Sequence, residues 1–236
     1  MVASDSFLVT CEHGGNRIPT RYRALFHGQA TLLGTHRGYD PGALVMARQL
    51  ARALHAPLVT ATVSRLLVDL NRSIGHPRIF SAASRAAPLA VRARIVEQHY
   101  VPYREQVERL VRRSVSRGRR VIHISSHSFT PELDGNVRRA DVGLLYDPKR
   151  VGEVALASRW KAALEQAAPE LRVRRNYPYA GKGDGLTSHL RLRYSPALYV
   201  GIELEVNQKI VFAAGRPWSR LRGVLVEALL AAHAAD

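Results

Sequence analysis

Short apolar runs alternate with longer amphipathic segments along the whole chain. Residues 6–11, 121–124 and 198–202 are rich in aliphatic and β-branched side chains, and each run leads into a polar cluster. Continuous apolar runs of this length are typical of buried parallel strands. Between them, apolar residues recur at helical spacing, as in 44–54 and 152–164. We therefore predict a three-layer α/β fold with a mostly parallel or mixed central sheet flanked by helices.

The same pattern assigns the remaining elements. Further strands are predicted at 57–63, 66–68, 141–146 and 171–175. Further helices are predicted at 89–117, 152–167 and 217–233. Pro102 should bend or restart the first of these helices. Another helix is predicted to begin at Asp40 and Pro41, because Asp is a good N-cap and Pro suits the first turn. The glycine- and proline-rich segment 176–185 is predicted to be a functional loop.

Length and composition fit one globular domain. The chain has 236 residues, 46% of them hydrophobic, with no internal repeat or linker, so we expect a single domain over 1–236. No apolar run is long enough to span a membrane and no signal pattern precedes the first strand, so we expect a cytoplasmic location. Cys11 is the only cysteine, which excludes an intrachain disulfide and a metal site built from several thiolates.

The chain is strongly basic, with 35 Lys and Arg against 19 Asp and Glu and a formal net charge of +16. Such a charge favours anionic ligands, which range from small carboxylates to nucleic acids. The basic residues are scattered, apart from a concentration at 109–120, and no nucleic-acid-binding motif accompanies them. We therefore do not expect nucleic acid to be the main partner.

Polar clusters follow four of the predicted strands, at 12–13, 69–72, 127–128 and 203–208. The carboxyl ends of parallel strands meet at one edge of a sheet, and ligands bind there in open α/β folds. Imidazole and carboxylate groups are normal Zn²⁺ ligands, and a nearby carboxylate can take a proton from a metal-activated water. A mononuclear metal hydrolase is therefore one hypothesis, although the chain contains no compact ligand motif.

The same residues also have plainer interpretations. His127 could be a hydrogen-bonded histidine of the core, and Asp40 could simply cap a helix. Arg72 could form an ion pair with Asp69 at the end of a strand. The residue pattern alone leaves these alternatives open.

Five segments in a fixed order carry a family resemblance: CEHGGNRIP at 11–19, DPGA at 40–43, HSFTP at 127–131, NYPY at 176–179 and GIELEVN at 201–207. Together they resemble the N-formylglutamate amidohydrolase family over nearly the whole chain. The resemblance implies a fold like that of the zinc-dependent exopeptidases. It also implies a metal-dependent hydrolysis of N-formyl-L-glutamate to formate and glutamate, with zinc as the expected metal.

The resemblance assigns His13 and His127 as metal ligands. In the wider exopeptidase and aspartoacylase-like group a glutamate usually stands three residues after the first histidine, whereas this chain has Asn16 there. The third ligand must then come from another position. We expect Asp40 to supply it, with Glu12 as the second choice.

The resemblance also suggests roles around the metal. The segment 69–72 reads like the substrate clamp of that wider group, so Asn71 and Arg72 should bind a substrate carboxylate, with Arg65 as a second arginine. Tyr179, in the glycine-rich loop with Tyr177, Lys182 and Asp184, should close over the substrate. Glu205 is the expected general base. Glu203 is its alternative, because alternation along a strand places both on one face.

The sequence thus predicts a metal-dependent amidohydrolase acting on a small carboxylate-bearing N-acyl amino acid such as N-formylglutamate. One alternative is a metallo-exopeptidase or amidase acting on peptides or cell-wall fragments. The other is a non-catalytic protein that binds anions or nucleic acid on the same fold. No membrane partner is expected, and the sequence does not indicate an oligomeric state.

Overall fold

The computed structural model describes residues 5–235, which form a six-stranded sheet with helices on both faces. The strands are β1 (Asp5–Cys11), β2 (Leu58–Thr60), β3 (Arg120–Phe129), β4 (Glu132–Leu133), β5 (Asn136–Val137), β6 (Val142–Leu145), β7 (Val173–Arg175) and β8 (Tyr199–Asn207). The α-helices are α1 (Ala30–Leu33), α2 (Ala43–Ala53), α3 (Ala82–Arg85), α4 (Leu89–Ile95), α5 (Val101–Val115), α6 (Val151–Ala167), α7 (Leu186–Arg193), α8 (Gln208–Ala213) and α9 (Gly215–Ala234). A 3₁₀ helix covers Thr20–Phe26, and a π-helical turn, Val96–Tyr100, joins α4 to α5.

The sheet has the order β2-β1-β3-β8-β6-β7. Strands β2, β1, β3 and β8 are mutually parallel, whereas β6 runs antiparallel to β8 and parallel to β7. β4 and β5 form a separate small hairpin. The predicted α/β class, with a mostly parallel or mixed sheet between helices, is confirmed. Strands β3 and β8 lie at the centre and pair as far as Phe129 opposite Asn207.

Two apolar cores lie on opposite faces of this sheet. On one face α2, α6 and α9 pack against the strands, and Trp160 of α6 is fully buried there. On the other face the α4–α5 segment and α7 cover the sheet, with Val107 and Leu190 buried. Each fully buried aliphatic or aromatic side chain of this kind contributes roughly 1.5–3 kcal/mol. The two cores therefore hold the central strands, and with them the carboxyl-end edge of the sheet, in a fixed position.

The predicted strand at 66–68 is wrong. Leu67 is fully buried, but the backbone turns there, with the Leu67 amide donating to the Ser64 carbonyl and the Asp69 amide donating to the Ile79 carbonyl. A short apolar run shows that a segment is buried and does not show which backbone conformation it takes.

The predicted helix start at Asp40 is also wrong. Helix α2 begins at Ala43, and the residue before it is Gly42, whose φ of 81° lies in the left-handed region and favours glycine. The Asp40 side chain does not cap the helix, because its carboxylate points to two histidines instead. Asp40 therefore lies close to the start of α2, as predicted, but its carboxylate contacts His13 and His127 and not the helix amides.

The other differences concern lengths and short elements. β3 continues through His127 to Phe129, because β8 continues beside it, so His127 lies inside a strand and not in a loop. The predicted helix at 89–117 is present with a π-helical turn just before Pro102, which cannot donate a backbone hydrogen bond. Four short elements, α3, α7, α8 and the β4–β5 hairpin, were not predicted from the sequence. No helix within 5–235 is both long and apolar enough to cross a membrane.

Candidate metal centre and active-site cavity

A cavity of about 460 Å³ opens at the carboxyl ends of β1, β3 and β8. Its size lies within the range of small-molecule sites, and its position is the usual ligand edge of an α/β sheet. The predicted site residues His13, Asp40, Arg65, Asn71, Arg72, His127, Tyr179, Glu203 and Glu205 all line it. The structure therefore brings these nine residues together in one cavity, whereas Glu12, Tyr177 and Lys182 are outside its lining.

His13, Asp40 and His127 form a buried cluster in this cavity. One ligand atom from each residue lies within 4.8 Å of the other two. The Nδ1 atoms of both histidines face the same oxygen, Asp40 Oδ2, at 3.4 Å for His13 and 2.9 Å for His127. Two imidazole nitrogens and one carboxylate oxygen converging on one point are the donor set of a mononuclear metal site with room for a substrate or water.

Alternation along β3 holds this cluster in place. Ser125 and His127 point to the side of β3 where Glu12 lies, whereas Ser126 and Ser128 point to the segment that leads into α2. The hydroxyls of Ser126 and Ser128 donate to the carbonyls of Ala43 and Pro41, at 2.9 Å and 2.7 Å. They thereby fasten the segment that carries Asp40 against the strand.

His13 lies just beyond β1 in a turn that requires glycine. A Cβ atom at Gly14 would lie 2.9 Å from the Ala61 carbonyl oxygen, and one at Gly15 would lie 2.7 Å from the Thr62 carbonyl oxygen. The two glycines let the chain cross the end of β2 closely. The Asp40 amide then donates to the His13 carbonyl at 2.9 Å, which ties the first ligand to the third.

Two further carboxylates contact the far sides of the histidine rings. His13 Nε2 lies 2.7 Å from Asp69 Oδ1, and His127 Nε2 lies 3.0 Å from Glu12 Oε2. Arg65 donates to both Asp69 and Asp40. Glu12, the second choice for third ligand, therefore lies behind His127, whereas Asp40 lies on the side where both Nδ1 atoms converge.

The ionised carboxylates around the two histidines favour the binding of a cation in this cluster. Burial raises the pKa of Glu12 and of Asp40, but the hydrogen bonds and charges of the histidines outweigh burial and hold both pKa values well below their usual range. Burial lowers the pKa of His127, yet its hydrogen bonds to Asp40 and Glu12 raise that pKa well above the usual value. Buried anions around two imidazoles fit a divalent cation, so the residues present suit a metal ion.

Glu205 and Glu203 lie next to the cluster on the cavity face of β8. Glu205 stands opposite His127 in the strand register. Burial raises the pKa of Glu205 to about 8, with Asp40 and Glu203 adding to the effect. Its Oε2 atom has no hydrogen-bond partner among residues 5–235. Glu203 differs, because its Oε1 accepts a 2.6 Å hydrogen bond from Thr187.

The two arginines differ in the charge that they can offer a ligand. The guanidinium of Arg65 is engaged by Asp69 and Asp40, at 2.7 Å and 3.3 Å. Arg72 donates to the Asp184 backbone carbonyl at 2.8 Å and forms no ion pair within the described part of the chain. The alternative of an Arg72–Asp69 ion pair is therefore not what the structure shows, since Asp69 pairs with Arg65.

The loop at 176–185 forms part of the cavity wall through Tyr179, Ala180, Gly183 and Asp184. Tyr179 is 46% exposed, and its hydroxyl accepts a 3.0 Å hydrogen bond from Arg138. Asp184 anchors the loop by accepting from the amide and hydroxyl of Ser73. Tyr177 packs against Phe129, whereas Lys182 is exposed and outside the cavity lining.

Residues outside the expected set also shape the site. Asn16 points away and donates to the Leu33 carbonyl, so it contributes no ligand. Asp69, Ser125 and Tyr103 were missed as partners of the cluster. Asp69 belongs to the predicted polar cluster 69–72, and Ser125 lies between the apolar run 121–124 and the cluster 127–128. Tyr103 lies on α5, and nothing in the sequence linked it to Glu12. His123, on β3, is buried between Thr10 and Tyr199 and takes no part in the cluster.

The fold and the site define an α/β protein with a buried His–Asp–His candidate metal centre at the ligand edge of its sheet. The model of the N-formylglutamate amidohydrolase family matches residues 5–212. The chain therefore belongs to the N-formylglutamate amidohydrolase family, as the motif resemblance predicted, and is an enzyme of amidohydrolase type.

Solved structures similar to this chain include the following two. A gene product of Agrobacterium tumefaciens is 31% identical, with a TM-score of 0.85 over 99% of this chain and 92% of that one. An N-formylglutamate amidohydrolase from Ralstonia eutropha JMP134 is 17% identical, with a TM-score of 0.70 over 97% of this chain and 92% of that one. At that identity the second likeness shows the fold alone. No protein with a curated description matches the sequence significantly.

Proposed function

We propose that this chain is a metal-dependent amidohydrolase that cleaves the amide bond of a small N-acyl amino acid, with N-formylglutamate as the first substrate to test. The observation that carries the proposal is the placement of Glu205. Its unpartnered Oε2 lies in the cavity beside the His13–Asp40–His127 cluster, and the carboxyl has a pKa of about 8. A carboxylate poised near neutrality next to a metal site suits proton transfer in hydrolysis.

One divalent metal ion, which we propose to be zinc, would be held by His13, Asp40 and His127. When bound, such an ion supplies Lewis-acid polarisation of the scissile carbonyl and lowers the pKa of a water molecule. His13 follows the end of β1, Asp40 precedes α2, and His127 lies in β3. The site therefore depends on the parallel arrangement of β1 and β3.

In this proposal Glu205 moves the proton. Its Oε2 accepts a proton from the attacking water and returns it to the nitrogen of the leaving amine, so that the carboxylate is regenerated in each cycle. Burial and the nearby charges of Asp40 and Glu203 give the carboxyl the proton affinity that this exchange requires. Glu203 is the weaker choice for this role, because Thr187 already occupies one of its oxygens.

Arg72 and Asn71 orient the substrate. The Arg72 side chain lines the cavity and has no ion-pair partner within 5–235, so its charge remains for a substrate carboxylate. Asn71 accepts from the Leu186 amide through Oδ1, which leaves its NH₂ group to donate. Arg65, although it lines the cavity, is used mainly to hold Asp40 and Asp69. Tyr179 at the exposed rim would cover the bound substrate.

The test is hydrolysis of N-formyl-L-glutamate by the zinc-reconstituted protein, followed by the release of formate. We expect turnover in the wild type and a loss of about 10²–10⁴-fold in kcat for Glu205→Gln. Glu203→Gln is the matched control, because it removes a carboxylate from the same face of the same strand. Absence of hydrolysis in the zinc-loaded wild type, across N-formyl, N-acetyl and larger N-acyl amino acids, would contradict the proposal.

The cavity volume also favours one alternative substrate class. A space of about 460 Å³ is able to hold a ligand longer than N-formylglutamate. A metallo-exopeptidase or amidase acting on peptides would use the same cluster and the same base. Including dipeptides and short peptide amides in the substrate panel separates the two functions by their relative kcat/KM.

A further inference from the structure

We propose that Asp69 and Glu12 are positioning residues that hold His13 and His127 in the one orientation in which both rings present Nδ1 to the metal. This inference rests on the proposed metal site and goes further, because it names the ring nitrogens and the groups that select them. Neither residue reaches the converging point of the ligand atoms. Each acts through the histidine in front of it.

The Asp69 carboxylate is fixed through both of its oxygens. Oδ1 accepts from His13 Nε2 at 2.7 Å and from the Asn71 amide at 3.0 Å. Oδ2 accepts from Arg65 Nε at 3.1 Å and Nη2 at 2.7 Å. Because both oxygens of the Asp69 carboxylate are held by hydrogen bonds, the carboxylate does not rotate freely, and it fixes the ring of His13 in turn.

The Glu12 carboxylate is fixed by a different set of donors. It is fully buried, its Oε1 accepts from the Tyr103 hydroxyl at 2.9 Å, and its Oε2 accepts from the Ser125 hydroxyl at 2.7 Å. His127 Nε2 lies 3.0 Å from the same Oε2 and 2.9 Å from Ser125 Oγ. Helix α5 and strand β3 therefore both contribute to the orientation of this second ring.

These contacts select the tautomer of each histidine. An ionised carboxylate only accepts hydrogen bonds, so the nitrogen facing it must carry the proton. Nε2 is then an N–H atom in both rings. By the same rule Nδ1 carries a proton in the metal-free chain, and it is the nitrogen whose proton a bound metal would replace. The two Nδ1 atoms are the ones that face Asp40 Oδ2. Removing carboxylate partners of this kind typically costs 10–100-fold in metal affinity.

The experiment measures zinc affinity by chelator competition in the full chain, for Asp69→Asn and Glu12→Gln. An amide can donate to Nε2 and so favour the tautomer that protonates Nδ1. We expect zinc to bind about 10–100-fold more weakly to each variant, and excess zinc to restore most of kcat. Asp141→Asn is the matched control, because Asp141 is a buried, ion-paired carboxylate away from both histidines. Its zinc affinity should equal that of the wild type.

A second measurement does not depend on how the variants fold. Two-dimensional NMR correlation of ring nitrogens with ring protons in the ¹⁵N-labelled, zinc-loaded wild type should show protonated Nε2 and metal-bound Nδ1 for both histidines. Unchanged zinc affinity in both variants, or zinc bound through Nε2 in the wild type, would overturn the inference while leaving the metal site intact. A wild type that binds no zinc would overturn the proposed function as well.

Discussion

Glu205→Gln should make the metal-free protein more stable at alkaline pH. In the metal-free protein Glu205 is buried, and its pKa is raised from 4.5 to about 8 by burial first, then by Asp40 and Glu203, against the lowering effects of His127 and Arg65. Between about pH 4.5 and 8 the folded chain therefore binds more protons at this carboxyl than the unfolded chain does. The free energy of unfolding then falls as the pH rises through that window, and the full cost is present above pH 8.

The size of the effect follows from the shift. One pKa unit corresponds to about 1.4 kcal/mol, so raising the pKa from 4.5 to about 8 costs on the order of 5 kcal/mol at alkaline pH. Gln has the same shape and no charge to desolvate. The variant should therefore equal the wild type in stability near pH 4.5 and exceed it increasingly above that, while catalysis is lost.

Urea unfolding in the presence of a chelator, repeated across pH 4.5–9, measures this difference. Glu105→Gln is the control, because its carboxyl is exposed on α5 and outside the cavity lining, so the stability of this variant should follow that of the wild type across the pH range. If the stabilities of wild type and Glu205→Gln stay parallel across that range, Glu205 does not carry a raised pKa and the argument for it as the base fails.

Other predictions follow from single contacts. Arg72→Lys loses the planar guanidinium for a substrate carboxylate, so KM should rise about 10–100-fold with little change in kcat. Arg94→Lys, on the exposed face of α4 and outside the cavity lining, should leave KM nearly unchanged, and steady-state kinetics checks both. Gly143→Ala would place a Cβ against the Tyr177 carbonyl and 3.3 Å from the Cβ of Glu205. It should destabilise the chain by about 1–3 kcal/mol and lower kcat, as thermal unfolding and activity assays would show. Gly223, where an added Cβ meets nothing within 4 Å, is the control position.

The sequence predicted the central strands well because their apolar runs are continuous and their ends are marked by polar clusters. The run ending at His127 and the run at 198–202 correspond to β3 and β8, the two strands at the centre of the sheet. It failed at 66–68, where the same kind of run forms a buried turn. An apolar pattern indicates that a segment is buried. Its backbone conformation depends on hydrogen bonds to segments that are distant in the sequence.

For the site, as for the fold, the sequence predicted which residues come together but not the contacts between them. The motifs were sufficient to gather the residues that line the cavity, because parallel strands end at one edge. The side-chain contacts within the site could not be predicted. Asp40 fits a helix cap by local rules, yet the contacts with His13 and His127 decide its orientation, and those residues are 27 and 87 positions away. The pairing of Tyr103 with Glu12 spans 91 positions, and no local pattern encodes such a contact.

The most direct test of the metal centre is the metal content of the purified, zinc-reconstituted protein, measured by elemental analysis on wild type, His127→Ala and His123→Gln in parallel. His123 is the matched control, because it is a buried histidine on the same strand that bonds to Thr10 and Tyr199 outside the cluster. We predict about one zinc per chain in the wild type and in His123→Gln, and its loss in His127→Ala. No zinc in the wild type, or full retention in His127→Ala, would contradict the assignment of His13, Asp40 and His127 as the metal site.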